Sequence, residues 1–247
     1  MAGHSHSANI AVRKGKQDAA RARLFSKLAR YILIAARHGG GDPDTNLRLR
    51  YAIDKARGVS MPKDNIERAI KKGTGDLEGE NYEEVTYEGY GPGGVALLIE
   101  ALTNNRARSA TDIRTIVEKS GGNMGSIGSV GYLFERKGLI VIDAKKYPDE
   151  DAMMAVALDA GAADFAKEDD VYEIIAEVAD YQGVIEKLKA ANIETVEAEI
   201  KNLAKTQVEV TVEVGKKVVR MMDKLDDNED VQNVYTNAII TAEMAAV

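Results

Sequence analysis

Gly89, Gly91 and Gly94 fall at the G-x-G-x-x-G spacing that cradles a pyrophosphate. That chemistry needs the loop to leave a strand and open a helix whose N-terminus meets the phosphates. Here the apolar run Val95-Ala96-Leu97-Leu98-Ile99 follows, which predicts a strand, and Pro92 removes one amide donor. The loop therefore reads as a glycine-rich hairpin connection. Histidine occurs only as His4, His6 and His38, with neither a zinc spacing nor an H-E-x-x-H pair. Asp226, Asn228 and Asp230 alternate as in a calcium loop, but Val231 stands where that turn requires glycine, so the segment reads as a solvated acidic helix end. The carboxylate runs Glu83-Glu84 and Glu168-Asp169-Asp170 lack an activating neighbour and read as charged surface. Cysteine is absent, which excludes disulfides, thiolate metal sites and Cys nucleophiles and suits a reducing cytosol. No catalytic residue, cofactor or metal ligand is expected.

Positive charge is the constellation that stands out. Residues 1–75 carry sixteen Lys/Arg against six Asp/Glu, whereas the remainder carries seventeen against thirty-four. A cationic third on an acidic body is the pattern of a nucleic-acid-binding arm. Lys16, Arg23, Lys27, Arg30 and Arg37 are spaced 7, 4, 3 and 7 apart, which lines them along one side of a helix. Leu24, Phe25, Leu28, Ile32, Ala35 and Ala36 share another side, and Arg21 falls near that apolar face. The stripe is expected to be the main electrostatic contact to nucleic acid. Arg13 and Lys14 precede it, and Lys71 and Lys72 end the third predicted helix, completing the candidate set.

The elements that must position these residues follow from spacing. Gly39-Gly40-Gly41 stops the first helix. Asp42 with Pro43 predicts the cap of a second, running to Gly58, and Pro62 opens a third. Strands are predicted over 85–88, 95–102, 129–135, 139–143, 171–178, 196–200, 208–212 and 231–236, and helices over 108–119, 149–160, 184–191 and 215–225. Residues 138–204 approach the β-α-β-β-α-β order of a ferredoxin-like unit. The tail is too small for its own core, and 82–137 lacks a helix and a strand. The expected fold is therefore α+β and multidomain: a basic helical domain at 1–75, a discontinuous α+β domain of 82–137 plus 205–240, and an α+β domain at 138–204 inserted into it. No apolar run approaches the ~18 residues of a membrane span, and the polar start lacks a secretory core, so a cytoplasmic protein without a membrane partner is expected.

Longer motifs carry a resemblance. Met1-Ala2-Gly3-His4-Ser5, Arg13-Lys14, Gly40-Gly41-Asp42-Pro43, the run from Met61 to Lys72, Tyr87 to Ala96, Gly121-Gly122-Asn123 and Asp230 to Asn237 resemble the YebC family over nearly the whole chain. The resemblance implies three domains, one α+β domain interrupting the other, with no cofactor or catalytic residue. It implies a DNA-binding transcriptional regulator. Relatives that include a mitochondrial translational activator of cytochrome c oxidase subunit I act instead in translation, at the ribosome. His6, Ser7, Ala11 and Val12 stand where the family usually has lysine, tryptophan, lysine and histidine. Two positive charges and one stacking aromatic are lost there, which predicts weaker contact by the terminus. Two readings thus share the basic surface: a DNA-binding regulator, and an RNA- or ribosome-associated translation factor with ribosomal RNA as partner. An enzyme or small-molecule sensor has only the glycine loop and the acidic body in its favour.

Overall fold

The structure, a computed structural model, describes residues 17–79 and 81–246. Helix α1 (Gln17–Gly39) is the hub of the helical domain, and α2 (Leu47–Gly58) and α3 (Lys63–Thr74) both pack on it. Leu28, Ile32, Leu49, Ala52, Ile53, Ile66 and Ala69 form their shared core. Leu24, assigned to that face from its spacing, is instead exposed. Gly73 sets the α1–α3 approach: a Cβ there would lie 2.4 Å from the Leu33 carbonyl oxygen. The cap of α2 is Asn46, not Asp42, and residues 42–45 form a turn in which Asp42 accepts from the Asp44 N–H. The reason is chemical. The Asn46 oxygen accepts from the Leu49 N–H at 3.1 Å while its amide donates to the Ala35 and Gly40 carbonyls, both at 2.8 Å. One buried side chain thus starts α2 and ties down the end of α1, whereas an ionised aspartate can only accept.

Two four-stranded antiparallel sheets follow. The first, in order β3-β1-β2-β8, joins β1 (Glu83–Tyr90), β2 (Ala96–Thr103) and β3 (Asn123–Met124) to β8 (Val231–Thr236) from the far end of the chain. Helices α4 (Arg106–Lys119) and α7 (Val212–Asp226) close its core through Ile113, Val117, Met221 and Leu225. The second sheet contains β4 (Phe134–Asp143), β5 (Asp164–Glu168), β6 (Val171–Ala176) and β7 (Glu197–Ala204), with α5 (Glu150–Ala160) and α6 (Tyr181–Ala190) between them. Its order β7-β4-β6-β5 and its β-α-β-β-α-β sequence are ferredoxin-like. A short α8 (Ala242–Ala245) packs on α7.

Gly89 to Gly94 connects β1 and β2 with a short 3₁₀ turn at Pro92–Gly94, and β2, not a helix, follows. Three expectations change. The strands over 129–135 and 139–143 are one continuous strand from Phe134, preceded by a 3₁₀ turn at Gly131–Leu133. The junction between the two sheets therefore lies four residues earlier than the sequence placed it. The strand over 208–212 is absent: Val208 makes one bridge to Ala238, and Thr211 caps α7 by accepting from the Val214 N–H. Strands β3 and β5 and the short helix α8 are additional.

Chain enters and leaves the second sheet at adjacent points, because the Lys205 N–H donates to the Leu133 carbonyl at 2.8 Å. Replacing 134–204 by a short glycine linker is expected to leave a remainder that melts in one cooperative transition. Its stability should be reduced, since Phe134 packs on Ala96, Leu98 and Val130. A calorimetric trace without a cooperative peak would count against a nested layout.

Glu173 on β6 is 4% exposed, and burial followed by the charge of Glu168 pushes its carboxyl up to about 7. A raised carboxyl is protonated in the fold while ionised in the unfolded chain, so stability falls as pH rises from about 4.5 to 7. Glu173→Gln, which keeps the shape and removes the charge, is expected to stabilise the chain by about 2 kcal/mol at pH 8 and little at pH 5. Urea midpoints at the two pH values check this.

Candidate nucleic-acid interface

The basic stripe on α1 faces another part of the chain. Arg23 pairs with Asp227 at 3.1 Å. Lys27 donates to the Asp226 carbonyl, and Arg30 reaches the carboxylates of Glu229 and Asp230, each at 3.4 Å, and the Glu229 carbonyl. The Arg30 guanidinium also lies over the Tyr82 ring, 5.3 Å from its centre. Residues 226–230 form the turn between α7 and β8, so three cations of the stripe meet an acidic turn about two hundred positions away. Arg23, Lys27 and Arg30, expected from the sequence to contact nucleic acid, thus have partners within the chain, with Arg23 and Asp227 still exposed. Opposite charges on two packed domains find each other before solvent does, and 3.6-residue spacing cannot reveal what a helix face packs against. Arg37 is half-buried at the end of α1. Arg13, Lys14 and Lys16 lie outside the described residues.

Asp230 is the centre of this contact. It is 4% exposed, so it is not the solvated carboxylate that the sequence suggested. Its Oδ2 accepts from Ser109 at 2.6 Å, Arg108 at 2.8 Å and Thr103 at 3.2 Å, while Oδ1 faces Arg30. Its backbone carbonyl accepts from the Leu102 N–H, and its N–H donates to Asn228. Burial alone would raise this carboxyl. The hydrogen bonds from Ser109 and Arg108, with the charges of Arg108 and Arg30, outweigh burial and hold it below the ordinary aspartate value. One side chain thereby joins α1, β2, α4 and β8.

Glu88 plays a similar part within the first sheet's loops. It accepts from the backbone N–H groups of Gly128, Val130 and Gly131, each at 2.7 Å. Burial opposes its charge, yet these donors keep its carboxyl below the usual glutamate value. The helical domain is further held by Arg48 to Glu84 and by Lys55 to Glu199 of β7. The expected charged surface at Glu84 is thus a domain contact. Among the described residues no group of His, Asp and Glu is arranged to hold a metal ion.

Helix α3 differs. Its apolar side buries Ile66, Ala69 and Gly73 against α1. Arg68, Lys71 and Lys72 stand exposed on the remaining surface, and none of them pairs with a carboxylate among the described residues. Lys71 and Lys72 in the last turn also complement the helix dipole, which accounts for a few tenths of a kcal/mol and does not require a partner. Arg68 was not among the candidates from sequence. The signal was its spacing, four residues before Lys72 and three before Lys71. Between α1 and α3 lies a cavity of about 400 Å³ whose lining includes Phe25, Ala29, Leu33, Asn65, Arg68, Lys72 and Tyr82.

The described helices include none long and apolar enough to cross a membrane. Residues 5–76 match the TACO1/YebC protein N-terminal domain, and residues 82–238 match the TACO1/YebC second and third domain. A protein of Desulfatibacillum aliphaticivorans named "probable transcriptional regulatory protein" is 52% identical over 97% of this chain and 97% of its own length. One of the same name from Clostridium tetani is 48% identical, over 96% and 97%. The crystal structure of a conserved hypothetical protein from Aquifex aeolicus superposes with a TM-score of 0.83 at 43% identity, covering 92% of this chain and 93% of that one.

Proposed function

Since the chain belongs to the TACO1/YebC family, we propose that it is a non-enzymatic regulator of gene expression, cytoplasmic, that binds DNA through its helical domain. The observation that carries the reading is the exposed set Arg68, Lys71 and Lys72 on α3, unpaired with carboxylates among the described residues in a chain of net charge -7. Cations left open on an otherwise acidic protein attract phosphates and release their counterions. The cations sit in the C-terminal half of α3, whereas helices that read bases use their N-terminal residues. Backbone contact, tolerant of sequence, is the mode this favours. The names of the relatives support transcription as the process.

A second reading, an RNA- or ribosome-associated translation factor, draws on the same exposed cations, which meet the phosphates of RNA as well as those of DNA. Genome-wide DNA crosslinking, set beside ribosome co-sedimentation in the same cells, tests both. Enrichment on DNA with no ribosomal fraction is the expected result. Ribosomal association without DNA enrichment would replace transcription by translation, and absence from both would remove the nucleic-acid reading.

A further inference from the structure

We propose that α7 presents a second basic surface, formed by Lys216, Arg220 and Lys224, to the phosphate backbone of the same DNA duplex that α3 holds. This rests on the nucleic-acid reading and adds a second contact to it.

The motive is where the acidic body keeps its cations. Beyond residue 75 the chain has seventeen Lys/Arg against thirty-four Asp/Glu. Helices α4 and α7 hold eight of those cations and only five of the acids. On α7 the buried side is Val218, Met221 and Leu225, while Lys216, Arg220 and Lys224, spaced four apart, form one row on the opposite side. Arg220 and Lys224 are exposed and Lys216 is half-buried, and none of the three pairs with a carboxylate among the described residues. Lys217, beside the row, is held by Glu213 at 2.8 Å. Like charges four apart on a helix destabilise it. Lys224 alone lies in the last turn, where the helix dipole favours a cation, so Lys216 and Arg220 have no such compensation.

The character of the surface selects a polyanion over a protein. Partner proteins seat on aromatic and aliphatic anchors. Among the large exposed apolar side chains of the described residues, Val212 alone lies on α4 or α7. Three charges fixed on one rigid helix gain most from phosphates already held in a fixed array, which a duplex supplies. The row is about 12 Å long, three to four base pairs of a duplex. Its position links it to the first contact. The end of α7 is tied to α1 through Arg23 with Asp227 and Lys27 with Asp226, and α1 packs on α3. Lys224 precedes Asp227 by three residues, about 4.5 Å of helix rise.

The chain has no cysteine, so one introduced thiol carries a photo-crosslinker to a single place. Lys217→Cys puts it beside the row with the three cations intact, Glu67→Cys puts it beside Arg68 on α3, and Lys189→Cys puts it on the exposed side of α6 as a control. The probes are a duplex DNA of about three helical turns and a duplex RNA of equal phosphate. Lys217→Cys and Glu67→Cys are both expected to crosslink to the DNA, and Lys189→Cys is not. Separately, Lys216→Gln with Arg220→Gln and Lys224→Gln should make the salt dependence of DNA binding shallower by about 2.5, with helix content unchanged because glutamine is a good helix former. Crosslinking from Glu67→Cys alone, or an unchanged slope in the triple variant, overturns the second surface and leaves the nucleic-acid reading intact. Crosslinking from Lys217→Cys to the RNA and not to the DNA overturns DNA as its occupant. Absence of binding to both probes at low salt removes the nucleic-acid reading, and the second surface with it.

Discussion

Asp230→Ala is expected to destabilise the full chain by about 3–5 kcal/mol, a large share of the roughly 5–15 kcal/mol that holds a domain folded. The loss is that of a buried partner. Arg30, whose side chain is 18% exposed, keeps only Glu229, and the buried Ser109 loses its acceptor at 2.6 Å and keeps only Thr103. Asp230→Asn keeps the volume and an acceptor for Ser109 but leaves Arg108 without its carboxylate and Arg30 with Glu229 alone, so its cost should be smaller, about 2 kcal/mol. The pH dependence has a definite sign. A carboxyl held below its ordinary value in the fold stabilises above the unfolded value near 3.8, and that contribution is lost as pH falls through the lower folded value. Acid unfolding of the parent should therefore include a component that both variants lack. Urea titrations at neutral pH and at pH 3 measure each quantity. A cost below about 1 kcal/mol for the alanine variant would mean that the contact does not join the domains.

The second large effect is expected on binding. Arg68→Glu with Lys72→Glu replaces two phosphate-seeking charges by two that repel phosphate, and affinity for nucleic acid at low salt should fall about a hundredfold. Stability should hardly change, because both side chains are exposed and pair with no carboxylate among the described residues. Glutamate is also a good helix former, so α3 should persist. The reversal Arg23→Glu with Lys27→Glu should act the other way round. It sets like charges against Asp226 to Glu229 and is expected to cost about 1–2 kcal/mol in stability. Thermal melts and equilibrium binding on the same preparations separate the two.

Local chemistry made much of the molecule legible. The apolar spacing of Ile66, Ala69 and Ile70 gave α3, the strand-like run after Gly94 gave β2 in place of a phosphate-binding helix, and a tail too short for its own core pointed to the pairing of β8 with β2. Failures came where a local signal had a competitor elsewhere. Val208 and Val210 alternate like a strand, but Thr211 can accept from the Val214 N–H and starts a helix instead. Asp42 before Pro43 has the form of a cap, yet Asn46, able to donate as well as accept, bridges two helices. Strand β5, Asp-Phe-Ala-Lys-Glu, has little apolar alternation and is held by its ladder to β6. The helical spacing placed Arg23, Lys27 and Arg30 on one face, and all three meet the turn at 226–230. Their partners, some two hundred residues away, are outside the reach of any local pattern, and for the same reason the buried role of Asp230 was missed.

The central claim is a division of labour: cations of α3 meet nucleic acid, while those of α1 meet the acidic turn at 226–230. The salt dependence of binding tests it most directly. Log affinity is measured against log salt for the full chain, for Arg68→Glu with Lys72→Glu, and for Arg23→Glu with Lys27→Glu, with each variant shown to be folded at the working temperature. The first double variant is predicted to have a slope shallower by about 1.5–2, as two counterion-releasing contacts disappear, and the second to keep the parent slope within about 0.5. An unchanged slope on reversing Arg68 and Lys72, with the loss appearing on reversing Arg23 and Lys27, would contradict the claim.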